Sequence, residues 1–489
     1  MRVKKEPAIY IFIIKYLTKH FLNTKNHSKI IILYSIFRKL AKLKHLIYFT
    51  QKKILEILLR VFYLKKKIKF KNKISNTQLT VLHFSTSDFS GGSGRAAYNI
   101  HTGLKKKKIN SYLIVKSKIK NENYIEIANY KMGIQWILER VYSTLMKFNY
   151  RKFNAKLNVL HSFTFYSHYD IQDAIQQIRP DIVHLHWIGH DFIGIKDLEK
   201  IKQPIVWTTH DMWPFCSAEH ITFSDIYTKG YIFEKNGFEL TDYWEKKKMI
   251  FRDLKFNLVG VSNWITEEIK KSILFKNKTS ICIPNSIDTK VFFPRDKKLS
   301  RELFNISLNK KLILFGSDYK DENKGFHYIE KIIQKLEEEK INNILLIIFG
   351  RTKIRLNTEF VEVKNLGYID SDDILAQIYS ACDLTLIPSK IESFCLTAAE
   401  SISCGTPVLA FDTSGLKDIV INHFSGQRID LENFEDYYKN MKDLLFNYKF
   451  NISELHKFIQ INFNEERLTN SYIDLYQKIY QLEVHKGLE

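Results

Sequence analysis

Two successive series of short apolar runs, each run followed by a helical pattern, constrain this chain more than any other feature. In the first series Thr80–Ser85, Ser111–Val115, Asp181–His186, Pro204–Thr209, Asn257–Val261 and Ser280–Pro284 read as buried strands. In the second, Lys311–Gly316, Asn343–Gly350, Leu366–Ile369, Asp383–Pro388 and Pro407–Asp412 do the same. These runs are continuously apolar rather than alternating, which suits strands covered on both faces in parallel sheets. Residues 116–180 read as helices inserted between strands. A strand–helix series that occurs twice predicts an α/β chain of two doubly wound, Rossmann-like domains. The linker is expected at Pro284–Pro294. The expected bounds are 76–290 for the first domain, 291–462 for the second and 463–489 for a last helix. A length of 489 residues accommodates two such domains and an extension.

The charge is concentrated in that extension. Residues 1–73 hold 20 Lys or Arg against Glu6 and Glu56, a net +18 of the chain's +22. The remainder is close to neutral, so the basic balance is no argument for a nucleic-acid partner, and none is expected. Ala8–Ile14 and Ile30–Phe37 are interrupted by Lys15, Arg38 and Lys39. They fall short of the roughly 20 apolar residues a membrane-spanning helix needs, and no small-residue cleavage site follows them. Ile30–Leu46 and Gln51–Phe70 can be drawn as basic amphipathic helices. Residues 1–75 are therefore expected to form a basic helical extension on an anionic membrane surface; the alternative is an arm packed on the chain or a partner. Cys216, Cys282, Cys382, Cys395 and Cys404 show no CxxC spacing. A disulfide framework or structural zinc site is not expected, and a cytoplasmic protein, peripheral on the inner face of the plasma membrane, fits.

The segment from Glu392 to Glu400 follows one apolar run, and Ala398–Cys404 reads as a helix ended by Gly405-Thr406-Pro407. In doubly wound sheets ligands bind at the carboxyl ends of strands. A helix start there offers unpaired N–H groups and a partial positive charge, a natural diphosphate site. If the stretch were wholly helical the two glutamates would lie about 12 Å apart, at 1.5 Å per residue. That span brackets a nucleotide sugar; the alternative is two solvated helix glutamates. In the first domain Gly91-Gly92-Ser93-Gly94-Arg95 places three of the chain's 18 glycines within four positions. Such a turn lets backbone approach a ligand. It is not a GxGxxG fingerprint, and Ser111–Val115 lacks the terminal acid for an NAD ribose, so a dehydrogenase is set aside. His184, His186, His190, His210 and His220 suggest a metal site, but no ligand set is complete.

Over roughly residues 80–480 the chain resembles the family 4 (group 1) retaining glycosyltransferases of GT-B fold and bacterial surface-polysaccharide type. The most specific residues are Pro388-Ser389, Gly405-Thr406-Pro407-Val408 and Gly415-Leu416 around the two glutamates. The resemblance implies a nucleoside-diphosphate-sugar donor, with UDP or GDP, and neither metal nor cofactor. It implies Glu392 at the donor sugar, Glu400 at the ribose, and Ser393, Phe394, Cys395, Leu396 and Thr397 along the donor. It sets Lys324, near Gly316, against the diphosphate. The family's accompanying Arg is not evident: Ser317 and Asn323 hold plausible places, and Lys320 or Arg351 would have to supply the second charge. Gly367-Tyr368-Ile369 matches the nucleobase loop, where Tyr368 stacks or simply packs. Gly92, Gly94 and Arg95 would lie near the donor phosphates, Arg95 as a phosphate contact or as a surface residue at a helix start.

The resemblance also sets His210 across the cleft from the donor sugar, catalytic together with Glu392. Otherwise His210 fixes its own loop through Asp211. His186 and Trp187 would shape the cleft wall or acceptor site, and Asp211 would orient His210 or approach the acceptor hydroxyl. Ser262-Asn263-Trp264 and Pro284–Asp288 match as architectural segments used in hinge closure. The implied reaction transfers a sugar with retention to a saccharide or lipid-linked saccharide. Two other readings stand beside it: a nucleotide-sugar 2-epimerase on the same fold, and a non-catalytic membrane scaffold. An epimerase would act with no acceptor present, and a scaffold would neither hydrolyse nor transfer the donor.

Overall fold

The computed structural model describes residues 79–131, 136, 139, 141–143, 160–316, 321–350, 356 and 358–486. The basic extension over residues 1–75 lies outside them, as do Ser317, Lys320 and Arg351.

Two wholly parallel sheets organise the chain. The first has seven strands in the order β3-β2-β1-β4-β5-β6-β7. These are β1 (Thr80–Ser87), β2 (Asn110–Ser117), β3 (Ile125–Ile127), β4 (Ile182–Leu185), β5 (Ile205–Thr209), β6 (Phe256–Gly260) and β7 (Thr279–Cys282). The second has six in the order β10-β9-β8-β11-β12-β13. These are β8 (Lys311–Gly316), β9 (Ile344–Phe349), β10 (Glu362–Gly367), β11 (Leu384–Ile387), β12 (Val408–Phe411) and β13 (Gly426–Ile429). Central strands bury every residue, as β4, β5, β11 and β12 do, because helices cover both faces. The two-domain α/β expectation is thereby met. The strand order reverses between β1 and β4 in one sheet and between β8 and β11 in the other. Those two switch points are where such sheets bind ligands.

The structure differs from the sequence reading at the edges. Residues 116–180 are not only helical: Ile125–Ile127 pairs with β2 as an edge strand. Strand β10 ends at Gly367 rather than running through Ile369. Its segment Glu362-Val363-Lys364-Asn365 is polar because it too lies at an edge. Strand β13 carries Gly426-Gln427-Arg428-Ile429, with no apolar run to announce it. Within the Glu392–Glu400 segment the helix runs only over Leu396–Ser403.

The last helix, Glu465–Lys486, crosses back to the first sheet. Leu468, Tyr472, Tyr476 and Ile479 join Val81, Ile100, Leu104, Ile182, Val206 and Val259 in one core. Tyr476 and Tyr472 also bond His184 Nδ1 and Thr208 Oγ1, at 2.6 and 3.1 Å. All five cysteines are unpaired. Among the described residues no helix is long and apolar enough to cross a membrane.

Candidate active site

The strand ends at the two switch points open on a cavity of about 290 Å³. The first domain supplies Gly92, Ser93, His210, Asp211, Ile221 and Asn285. The second supplies Gly316 and Lys324 after β8, Ser389, Ile391 and Glu392 after β11, and the helix start from Ser393 to Thr397.

The loop that carries Glu392 is strapped from two sides. Asn323 holds Ile391 by both main-chain groups, its Oδ1 accepting from the N–H at 3.0 Å and its Nδ2 donating to the carbonyl at 2.8 Å. Gly325 stands at φ 72°, and a Cβ there would fall 2.1 Å from the Pro388 carbonyl oxygen. On the other side Ser414 Oγ accepts from Glu392 N–H at 2.8 Å, and Gly415 N–H donates to the Glu392 carbonyl at 2.8 Å. A side chain at Gly415 would run into the Ser393 carbonyl, 2.4 Å away. Only glycine satisfies either position. The loop then turns into its helix through Cys395 at φ 80°, ψ 82°. This left-handed conformation costs a non-glycine residue about 1–2 kcal/mol, a strain typical of ligand sites. The first two residues of the helix Leu396–Ser403, Leu396 and Thr397, line the cavity, and the first-turn N–H groups of a helix have no partner within it.

The charge of this half is a pair: Lys324 Nζ donates to Glu392 Oε1 at 2.7 Å. Burial pulls the Lys324 ammonium down, but the Glu392 carboxylate beside it more than offsets this and holds it above its ordinary value. Lys324 therefore stays charged, the one cation among the described residues that line the cavity. Asn323, one of the residues standing where the family's Arg was sought, is neutral, and its amide serves Ile391.

Several expected site residues stand back from the cavity. Glu400 is 3% exposed. Its Oε2 accepts from Tyr379 Oη at 3.0 Å, and its Oε1 lies 3.3 Å from Arg95 Nη2. Arg95 crosses from the first domain to the second and bonds Asp372 Oδ1 at 2.6 Å. It is tied to two carboxylates and is not a surface residue. Burial, then Asp372, raises the Glu400 carboxyl, while Arg95 opposes the rise. Gly367 ends β10 at φ 70°, and Tyr368 after it is 58% exposed. Neither lines this cavity. Gly94 packs against the turn after β1, where an added Cβ would lie 3.1 Å from the Ser87 carbonyl oxygen.

On the facing wall, Asp211 does not hydrogen-bond His210. Its Oδ2 takes Trp187 Nε1 and His220 Nδ1, both at 2.5 Å, and its Oδ1 takes Trp213 N–H at 3.0 Å. Trp187 thus serves the loop rather than the cavity. His186 is corrected more strongly: it is 1% exposed and cannot form a cleft wall. Its Nδ1 lies 3.2 Å from His210 Nε2, and its Nε2 lies 3.0 Å from His83 Nδ1. Behind the loop, fully buried Lys247 donates to the carbonyls of Trp213, Cys216 and Ser217 at 2.6, 2.9 and 2.8 Å. His83, His184 and His186 bring ring nitrogens within 4.8 Å of one another. That geometry is taken up by hydrogen bonds: Tyr476 and Thr208 hold both nitrogens of His184, and His186 bridges two histidines. His220, weighed with them, gives its nitrogens to Asp211 and Ser162.

Sequence reasoning missed the partners that arise from distant segments. Asp372 and Tyr379 at Glu400, Ser414 at Glu392 and His83 at His186 carry no local signal. Ser389 and Asn285 stood within recognised segments but were not given site roles.

Residues 296–462 match the family described as glycosyl transferases group 1, and residues 90–291 match glycosyltransferase family 4. Glycogen synthase of Clostridium novyi (strain NT) is 23% identical over 480 residues, covering 81% of this chain and 97% of that protein. Two other curated relatives are matched over 62% and 35% of their length. Among solved structures, sucrose-phosphate synthase from Thermosynechococcus elongatus superposes with a TM-score of 0.59 at 14% identity, over 83% of this chain and 100% of that one. Anabaena HepE in complex with UDP and glucose gives 0.54 at 13% identity, over 82% and 100%. These structural likenesses establish the fold, two facing Rossmann-like domains. Each half of the chain carries its own glycosyltransferase family match, one on either side of the cavity, and together they support a group 1 glycosyltransferase, in a chain whose fold is GT-B.

Proposed function

We propose that the protein transfers a sugar, with retention, from a nucleoside diphosphate sugar to an acceptor hydroxyl in cell-surface polysaccharide synthesis. In this reading residues 76–290 form the acceptor domain and residues 291–462 the nucleotide-sugar domain. The observation that carries it is the cavity itself. There a half-buried carboxylate–ammonium pair and a helix start from one domain face His210 and Gly92 from the other. UDP bound to HepE supports a nucleoside diphosphate in the same fold.

The diphosphate takes the N–H groups at Leu396 and Thr397 and the Lys324 ammonium, which would stabilise the charge of the leaving group as it develops. Glu392 accepts hydrogen bonds from sugar hydroxyls, and the cluster of Glu400, Arg95, Asp372 and Tyr368 takes the nucleoside. The glycosidic C–O bond to the diphosphate breaks while the acceptor oxygen bonds the anomeric carbon on the same face. The acceptor proton passes to the departing phosphate oxygen. No metal enters this scheme, so EDTA should leave the rate unchanged. An anomeric proton NMR time course with an α-linked nucleotide sugar tests the reading. An α-linked product supports it; an inverted product, or epimerisation with no acceptor, contradicts it.

Glu400→Ala should weaken nucleotide binding about 10- to 100-fold, since a hydrogen bond to a charged group contributes about 1.5–3 kcal/mol. Ribose hydroxyls need the ionised carboxylate. Because burial raises this carboxyl, wild-type affinity should fall as pH is lowered, starting above the ordinary glutamate value of 4.5. Unchanged affinity in the variant removes the ribose role.

The net +18 of residues 1–73 supports a further part of the reading, an enzyme held at the cytoplasmic membrane face near a lipid-linked saccharide. Co-sedimentation with phosphatidylglycerol vesicles should be lost when residues 1–75 are removed, and retained binding contradicts it.

A further inference from the structure

His210 is the outer end of a line of imidazoles that runs into the core of the first domain. His210 Nε2 lies 3.2 Å from His186 Nδ1, and His186 Nε2 lies 3.0 Å from His83 Nδ1. The rings are nearly parallel, at 28° and 21°. His83 lies in β1, His186 just beyond β4 and His210 just beyond β5, neighbouring strands that bring residues from across the sheet into one row. His83 and His186 are 0% and 1% exposed. The line ends on His83 Nε2, which is buried and has no hydrogen-bond partner among the described residues. At the other end His210 lines the cavity, and Nε2 is its one hydrogen-bonded nitrogen among the described residues.

A neutral imidazole carries one N–H and one bare nitrogen. Two hydrogen bonds in series therefore leave the line only two proton arrangements. Either every proton sits on Nδ1, or every proton sits on Nε2. In the first, His83 Nδ1–H donates to His186, His186 Nδ1–H donates to His210, and His210 keeps Nδ1–H for the cavity. The buried end is then a bare His83 Nε2. In the second the directions reverse, His210 shows a bare Nδ1, and His83 Nε2–H is left in the core without an acceptor. An orphaned buried N–H is the rarer defect in folded proteins.

We propose that His83 and His186 are positioning residues that fix His210 in its Nδ1–H form, so that it presents a standing hydrogen-bond donor to the ligand in the cavity. Reading that donor as acting on a sugar or phosphate oxygen rests on the proposed function; the tautomer itself does not. This ordering opposes the mild preference of free imidazole for Nε2–H, which makes it a distinctive signature. Burial keeps the line neutral, His83 pulled down to about 3 and His210 to about 4, with Asp211 opposing at His210. The other titratable groups that face the line are His101 and His184 within the domain, with Tyr472 and Tyr476 behind His184, and Lys324 and Glu392 across the cavity. His210 therefore acts as a fixed dipole and does not cycle through imidazolium.

The experiment is ¹⁵N NMR of histidine-labelled, ligand-free protein, with His210 assigned by its loss in His210→Gln. The expected wild-type spectrum gives His210 shifts of a single neutral Nδ1–H ring that do not move between pH 6 and 8. In His83→Phe the anchor is gone, and His210 should show shifts averaged between both tautomers. The transfer rate should fall with it, about fivefold for the orientation of one hydrogen bond. His83→Asn, whose amide sits where Nδ1 sat, should restore both the shift and the rate; a merely structural histidine would not be rescued this way. A wild-type His210 that is Nε2–H, mixed or titrating between pH 6 and 8 overturns the inference without any variant. So does His83→Phe with an unchanged His210 spectrum. An enzyme with no transfer activity would instead overturn the proposed function, leaving the spectrum to decide the tautomer.

Discussion

Glu392→Gln is expected to lower kcat/KM for sugar transfer by about 100-fold while the protein stays folded. The carboxylate lines the cavity and pairs with Lys324 at 2.7 Å. The loop around it is held by main-chain bonds to Asn323, Ser414 and Gly415, which the amide leaves intact. The variant keeps the shape of the side chain but removes its charge. Two hydroxyl-to-carboxylate bonds, each about 1.5–3 kcal/mol when charged, weaken to ordinary neutral ones. At about 1.4 kcal/mol per decade, two such losses correspond to roughly two decades of rate. Steady-state kinetics with the preferred nucleotide sugar would measure this, with a melting curve as the control for folding. A change under threefold would take Glu392 out of the reaction.

Acid should destabilise the first domain well before it titrates ordinary carboxylates. His83 is pulled down to about 3 by burial, and His101, His184 and His186 are pulled well below 6.5 by burial and by one another. Unfolded, each regains a value near 6.5. Between these limits the unfolded chain binds more protons than the native one, so stability falls as pH falls. The contribution is fully present above about pH 6.5 and is lost progressively below it. For His83 alone the loss at pH 5 is about 2 kcal/mol, at about 1.4 kcal/mol per pH unit, and the others act in the same direction. The apparent melting temperature should drop by on the order of 10 °C between pH 7 and pH 5. A flat profile over that interval would mean that these rings are not neutral and buried as described.

The sequence made the architecture readable because fully buried parallel strands have a strong signature. Lys311–Gly316 was legible to the residue, and the other central strands to within a few residues. Edge strands were not: β3 has three residues, and β13 is half polar. An edge buries one side only, and its composition drifts toward that of a loop. The last helix was legible as a helix but not as a partner of the first sheet, since amphipathicity names a buried face without naming what buries it. The site divides in the same way. Glu392 and the helix start were found because local order sets them at a strand end, and Lys324 through the family resemblance. The ion pair of Arg95 with Asp372 joins residues 277 positions apart. His83 is 103 residues from His186. Contacts of that kind arise from topology and leave no spacing to recognise. Glu400 shows the remaining gap. Its spacing from Glu392 was noticed, but the left-handed turn at Cys395 and the reach of Arg95 make it a buried member of a cross-domain cluster.

Calorimetric titration of the ligand-free protein with UDP, GDP and ADP, each beside its monophosphate, tests the central claim most directly. If Lys324 and the helix start at Leu396 form a diphosphate site, one of the three diphosphates binds at least about tenfold tighter than its monophosphate, and Lys324→Ala removes that difference. A protein that binds none of them, or that binds mono- and diphosphate equally well, contradicts the account.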